Sequence, residues 1–241
     1  MSRLDGQVSV VTGASSGIGR AVALELAARG SGVWLLARRS EVLEELAELA
    51  RQRGARAFVG AVDLCDDAKL AHLCERMRAE CGGVDILVHS AGLYARGAIG
   101  EASVAQLDAQ YRANVRAPYL LTQLLLPALR ERRGQIAFVN SSIVLQTRSG
   151  VGQFAATQHA LRALADTLRQ EVNADGVRVL SVYPGRTATP RQAAIHADEG
   201  RPYHPERLMR PEDVAAALVQ ALATARSAEI TDLFLRPMQK T

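Results

Sequence analysis

The run Thr12-Gly13-Ala14-Ser15-Ser16-Gly17-Ile18-Gly19 joins a short apolar stretch, Val8 to Val11, to a helix-length segment, Gly17 to Ala28. Glycines at such a junction permit a tight turn and a close backbone approach. The free N–H groups and positive dipole end of the following helix then form a seat for a pyrophosphate. A turn of this kind commits the chain to strand-turn-helix architecture.

The rest of the sequence repeats that alternation. Val33 to Ala37, Ala57 to Val62, Ile86 to His89, Ile136 to Asn140, Val177 to Val182 and Ile230 to Leu235 read as further short apolar strands. Between them lie Glu41 to Arg53, Asp67 to Cys81, Val104 to Leu129 and a helix from Val151, with apolar residues returning every three or four positions. Strands apolar on both faces and alternating with helices imply an α/β fold: a doubly wound parallel sheet of about seven strands with helices on both faces. At 241 residues and 48% hydrophobic content, a single domain over 1–241 is expected. The polar stretch Thr189 to Arg210, with Gly200, Pro202 and Pro205, is a candidate substrate lid or a solvated connection.

Several function classes are excluded. The formal charge of +4 comes from arginines spread along the chain without a basic arm, so no nucleic-acid partner is expected. Cys65, Cys74 and Cys81 form neither a Cys-x-x-Cys pair nor an even set, which fits reduced packing residues in a cytoplasmic protein and no metal site. Neither a signal peptide nor a membrane span is expected. Lysine occurs only at Lys69 and Lys240.

The spacing Thr-Gly-x-x-x-Gly-x-Gly, one residue different from Gly-x-Gly-x-x-Gly, resembles the short-chain dehydrogenase/reductase family, and the resemblance extends over nearly the whole chain. It implies a Rossmann-type fold, a nicotinamide cofactor held by Gly13, Ser15, Ser16, Gly17, Ile18 and Gly19, a small-molecule substrate, and a homodimer or homotetramer built through the helices from Val104 and Val151. After the second strand, Arg38 and Arg39 stand where the family selects its cofactor. Arginine offers a charged planar fork to a 2′-phosphate, which favours NADP(H). Asp63-Leu64 matches the adenine-contacting position; by itself Asp63 reads equally as a helix N-cap. Ser90-Ala91-Gly92, preceded by His89, stands for the family's Asn-Ala-Gly. Pro184-Gly185-Arg186-Thr187-Ala188-Thr189 resembles its Pro-Gly-x-Val-x-Thr, assigning Pro184, Gly185, Thr187 and Thr189 to the nicotinamide.

Asn114 matches the asparagine that holds a water in the family's proton relay, and an asparagine inside a helix points to a buried polar task. Ser141, or alternatively Ser142, matches the substrate-polarising serine. The departure comes thirteen residues after Ser141, where Tyr-x-x-x-Lys is replaced by Phe154-Ala155-Ala156-Thr157-Gln158. Phe154 and Gln158 share one helix face, as the tyrosine and lysine would. Phenylalanine has no proton to give, and glutamine keeps at most a ribose hydrogen bond without the charge that lowers a tyrosine pKa. General acid catalysis contributes about 10²–10⁴-fold, so efficient carbonyl reduction needs another donor. Tyr94, Tyr203, His204 and a water held by Asn114 are the candidates. Three readings follow: an NADP(H)-dependent oxidoreductase with a non-standard proton route; a non-redox dehydratase, isomerase or cyclase; or a catalytically silent cofactor- or partner-binding protein. Trp34, the only tryptophan, is expected near the adenine.

Overall fold

The computed structural model describes residues 4–239; Lys240 lies outside the described residues. Seven strands form one parallel sheet in the order β3-β2-β1-β4-β5-β6-β7. They are β1 (Val8–Thr12), β2 (Gly32–Ala37), β3 (Ala57–Ala61), β4 (Ile86–His89), β5 (Gln135–Val139), β6 (Arg178–Pro184) and β7 (Asp232–Leu235). Register follows from strict side-chain alternation, with Val10 beside Trp34 and Val11 beside Leu35. Val11, Val33, Leu35, Ile86, Val88 and Val182 point into one core. Val10, Trp34, Leu36, Leu87, Ile136 and Val179 point into the other. A one-residue slip would exchange the faces, which is why doubly buried strands carry apolar residues at every position.

Each core is closed by its own helices. The first packs α1 (Gly17–Ala28), α2 (Ser40–Arg51) and α8 (Pro211–Leu222), through residues such as Leu26, Leu43 and Leu218. The second packs α3 (Asp67–Cys81), α5 (Ala117–Glu131) and α6 (Gly152–Val172), through Leu70, Leu125 and Leu161. The helices are therefore on both faces, as the apolar periodicity requires. No helix among the described residues is long and apolar enough to cross a membrane.

Three expectations change. Val104 to Leu129 is a continuous helical run, but it comprises α4 (Val104–Tyr111), a π-helical turn (Arg112–Arg116) and α5. The polar stretch from Thr189 to Arg210 contains a nine-residue helix, α7 (Pro190–Asp198). Thr189 caps it, accepting from Gln192 N at 3.2 Å, and Pro190 occupies the first turn, where its missing N–H costs nothing. Trp34 is not at the cleft: it is fully buried, stacked on Phe58 at 4.9 Å, and donates from Nε1 to Cys81 Sγ at 3.1 Å.

His89 closes β4 in the second layer, stacked on Phe138 and 2.9 Å from Thr122 Oγ1. Complete burial pushes its pKa down to about 3, so the folded protein holds it neutral while the unfolded chain protonates near 6.5. The unfolded state therefore binds the extra proton between those values, and stability falls as pH drops below 6.5. Between pH 7 and pH 5 this single group removes about 2 kcal/mol. His89→Gln should shrink the difference between urea stabilities at pH 7 and pH 5 by about that amount; an unchanged difference would assign the acid sensitivity elsewhere.

Candidate active site

The chain crosses from β3 at the sheet edge to β4 on the far side of β1, so the loops after β1 and β4 leave for opposite faces. A crevice opens where they part, the usual ligand position in such sheets. Thr12 holds its edges together: its hydroxyl accepts from Ser90 N at 3.0 Å and Ala91 N at 3.1 Å, and lies 3.4 Å from Val88 O as donor. Glycine then becomes obligatory. A Cβ on Gly13, where φ is +67°, would stand 2.8 Å from Ala91 N, and one on Gly19 would strike Gly13 O. The side chain of Ser16 caps none of the first amides of α1, and no acidic residue lies in that turn. These N–H groups therefore remain available to an anion.

The cleft has a volume of about 1270 Å³ and is lined by all the residues assigned to the cofactor, together with Asn114, Ser141, Phe154 and Gln158. At one end, Gly13, Ser15, Ser16, Gly17, Ile18 and Gly19 face Arg38 and Arg39. Both arginines are exposed, and among the described residues neither guanidinium has a carboxylate partner. Asp63 and Leu64 border the same end. Asp63 is not the helix cap: it accepts from Cys65 N at 2.9 Å, while Asp66 caps α3 by accepting from Lys69 N at 3.1 Å. Lys69 also lines this end of the cleft, with its ammonium 3.1 Å from Asp66.

At the other end, Ser90, Ala91, Gly92, Asn114, Ser141, Phe154, Gln158, Pro184, Gly185, Thr187 and Thr189 converge. Asn114 lies in the π-helical turn and is buried. Its Oδ1 accepts from Leu93 N at 2.6 Å, and its Nδ2 donates to Leu93 O at 2.8 Å and Thr157 Oγ1 at 3.0 Å. Thr157 in turn donates to Phe154 O at 2.8 Å. Both amide protons of Asn114 are thus spent on joining the β4 loop to α6, so that amide has no donor left for a water. Asn140 performs a parallel task, donating to Gln158 O at 3.0 Å and accepting from Ser141 N at 2.7 Å. Ser141 Oγ accepts from Ile143 N at 3.2 Å, leaving its own proton for a ligand. Ser142 also lines the cleft.

Phe154 is an apolar wall, with the Tyr94 ring edge-on at 5.1 Å between centroids. Tyr94 lines the cleft, whereas Tyr203 packs on His196 at 5.4 Å and His204 pairs with Glu206 at 3.1 Å, both outside it. Burial pushes the Tyr94 pKa up, only partly opposed by Arg96. The buried Gln158 has no side-chain hydrogen-bond partner among the described residues, so its amide is presented to the cleft.

The sequence reading missed a set of arginines. Arg96, Arg148, Arg186 and Arg191 all line the Phe154 end. Arg191, in the first turn of α7, donates through Nη2 to Gly92 O. The residue is exposed, yet desolvation lowers its pKa. No lysine lines this end among the described residues, but an arginine enters from α7. The one local signal was its position two residues after the capping Thr189. Among the described residues no group of three or more His, Cys, Asp or Glu side chains is placed to hold a metal ion.

Residues 7–200 match the short chain dehydrogenase family. An uncharacterised oxidoreductase of Staphylococcus saprophyticus is 30% identical over 240 residues, covering 99% of this chain and 100% of that protein. A glycine betaine reductase of Emericella nidulans is 30% identical over 239 residues, but the chain spans only 19% of its length. Among solved structures, L-sorbose reductase from Gluconobacter frateurii, complexed with NADPH and L-sorbose, is 29% identical with a TM-score of 0.89, and both chains are covered completely. The chain belongs to the short-chain dehydrogenase family.

Gly13→Ala tests the close approach at the heart of the cleft. The added Cβ meets backbone at 2.8 Å and a left-handed φ, so the variant should be destabilised by about 2 kcal/mol or more and melt about 5 °C lower. An unchanged melting temperature would mean that the β1–α1 turn is not held against β4.

Proposed function

We propose that this short-chain dehydrogenase is an NADP(H)-dependent oxidoreductase of small carbonyl or alcohol compounds, in which the proton passes through Tyr94 rather than through residue 154. The carrying observation is the position of Tyr94: of the three side-chain donors offered by the sequence, it alone lines the cleft, beside the ring that fills the usual tyrosine position.

The residues fit the cofactor. Uncapped amides of α1 and the Gly13–Gly19 cradle suit a pyrophosphate, while Arg38 and Arg39 suit a 2′-phosphate. The NADPH held by the Gluconobacter frateurii relative supports this assignment. When bound, the cofactor supplies the hydride pair that forms the new C–H bond. Ser141 Oγ–H is free to polarise the carbonyl oxygen. As the C=O π pair moves onto oxygen, Tyr94 gives its proton and is reprotonated from solvent.

A phenol whose pKa burial has raised is a weaker acid than the lysine-activated tyrosine of the family. An alkoxide is nevertheless a stronger base than a phenolate, so the transfer still runs downhill. It simply has less to offer the transition state. The arrangement therefore supports turnover slower than that of relatives with the intact pair.

Two measurements test the reading. Tyr94→Phe should lower kcat for ketone reduction by about 10²-fold or more while leaving NADPH affinity unchanged. An equal rate in the variant would remove Tyr94 from the reaction. Arg38→Gln combined with Arg39→Gln should weaken NADPH binding by about tenfold or more in calorimetric titration and leave NADH binding nearly untouched; equal losses for both cofactors would refute the 2′-phosphate assignment.

A further inference from the structure

Arg186 is an unusual cleft residue. It follows Pro184-Gly185 at the end of β6, and among the described residues its guanidinium has neither a hydrogen bond nor an ion pair. Its Nη1 is fully shielded from solvent and without a partner. Leaving a buried charged donor unmatched is costly, and buried polar groups in folded proteins are overwhelmingly satisfied by protein, water or ligand. The natural internal partner is already taken: Glu199, which also lines the cleft, lies 2.9 Å from Arg96 and 3.3 Å from Arg201. Arg148, exposed in the loop between β5 and α6, likewise has no carboxylate partner among the described residues. Among the described residues, this end of the cleft therefore contains two guanidinium groups without an ion-pair partner.

Resting on the oxidoreductase reading above, we propose that the substrate is a carbonyl compound bearing an oxyanion, a carboxylate or phosphate, and that Arg186 together with Arg148 binds that anion. The planar fork of arginine matches either group bidentately. Arg148, Arg186 and Tyr94 all line the cleft, so the anion site and the proton donor share it. The cofactor's own phosphates do not account for the vacancy. Their seats lie at α1 and beside Arg38 and Arg39, after β1 and β2, whereas Arg148 and Arg186 follow β5 and β6 on the other side of β4. The charged groups acting on Arg186 are Arg201, Arg148 and Glu199, none of them among the residues assigned to the cofactor's phosphates.

The test combines binding with turnover. Oxalate and inorganic phosphate are titrated calorimetrically into the parent, Arg186→Gln, Arg148→Gln, and the Arg38→Gln/Arg39→Gln pair. Binding by the parent that weakens about 10- to 100-fold in Arg186→Gln or Arg148→Gln, and survives in the Arg38/Arg39 variant, supports the proposal. Absence of binding, or loss only in the Arg38/Arg39 variant, overturns it. NADPH consumption is then compared for acetoacetate against methyl acetoacetate, and for dihydroxyacetone phosphate against dihydroxyacetone. A kcat/KM at least about tenfold higher for one anionic member than for its neutral partner, with that preference lost in Arg186→Gln, supports an anionic substrate and separates carboxylate from phosphate. Reduction of the neutral members with equal or greater efficiency overturns the anion site but leaves the reductase standing. Anion binding that depends on Arg186 without reduction of any ketone supports the anion site and removes the reductase.

Discussion

One hydroxyl holds the site open. Thr12 Oγ1 accepts two backbone amides from the end of β4 while its proton is directed at Val88 O, and this fixes the end of β1 against a strand that leaves toward the other face. With that spacing set, Gly13 has to lie against Ala91 and Gly19 against Gly13. The N-terminus of α1 is aimed into the cleft as a result. The β4 loop emerges beside it carrying Gly92, Leu93 and Tyr94. Leu93 is clamped by Asn114, Asn114 by Thr157, and Thr157 by the backbone of Phe154. A line of polar contacts thus runs from the first strand to α6 without any ionised side chain.

The sheet and the cofactor cradle were legible because both are written locally. Apolar strands, helical periodicity and a glycine turn declare themselves within a dozen residues. The π-helical turn was not, since one extra residue in a helical hydrogen-bond ladder leaves the apolar spacing nearly intact. Nor was α7, whose Thr-Pro cap is surrounded by charge, glycine and proline that resemble a connection. The arginines were hidden for a different reason. Arg96, Arg148, Arg186 and Arg191 come from separate loops and from α7, so their convergence is a property of the tertiary fold. Dispersion along the chain made them resemble ordinary surface charge, and only the packing separates them from the rest.

Phe154 and Gln158, where the resemblance implies a tyrosine and a lysine, give α6 an uncharged face on the cleft. Phe154 keeps an aromatic ring on the wall, and Tyr94 meets its face. Gln158 preserves hydrogen-bonding capacity at the floor of the cleft. The positive charge at this end comes from guanidinium groups on the flanking loops and on α7.

The preference for arginine over lysine around the Phe154 end has a consequence of its own. A lysine ammonium titrates in alkaline solution and loses its proton readily when crowded, but a guanidinium stays protonated throughout the range in which proteins remain folded. The arginines' contribution to the potential felt by anything entering there is consequently almost constant with pH. Reagents that acylate amines would pass this end by, because among the described residues its wall contains no amine to modify.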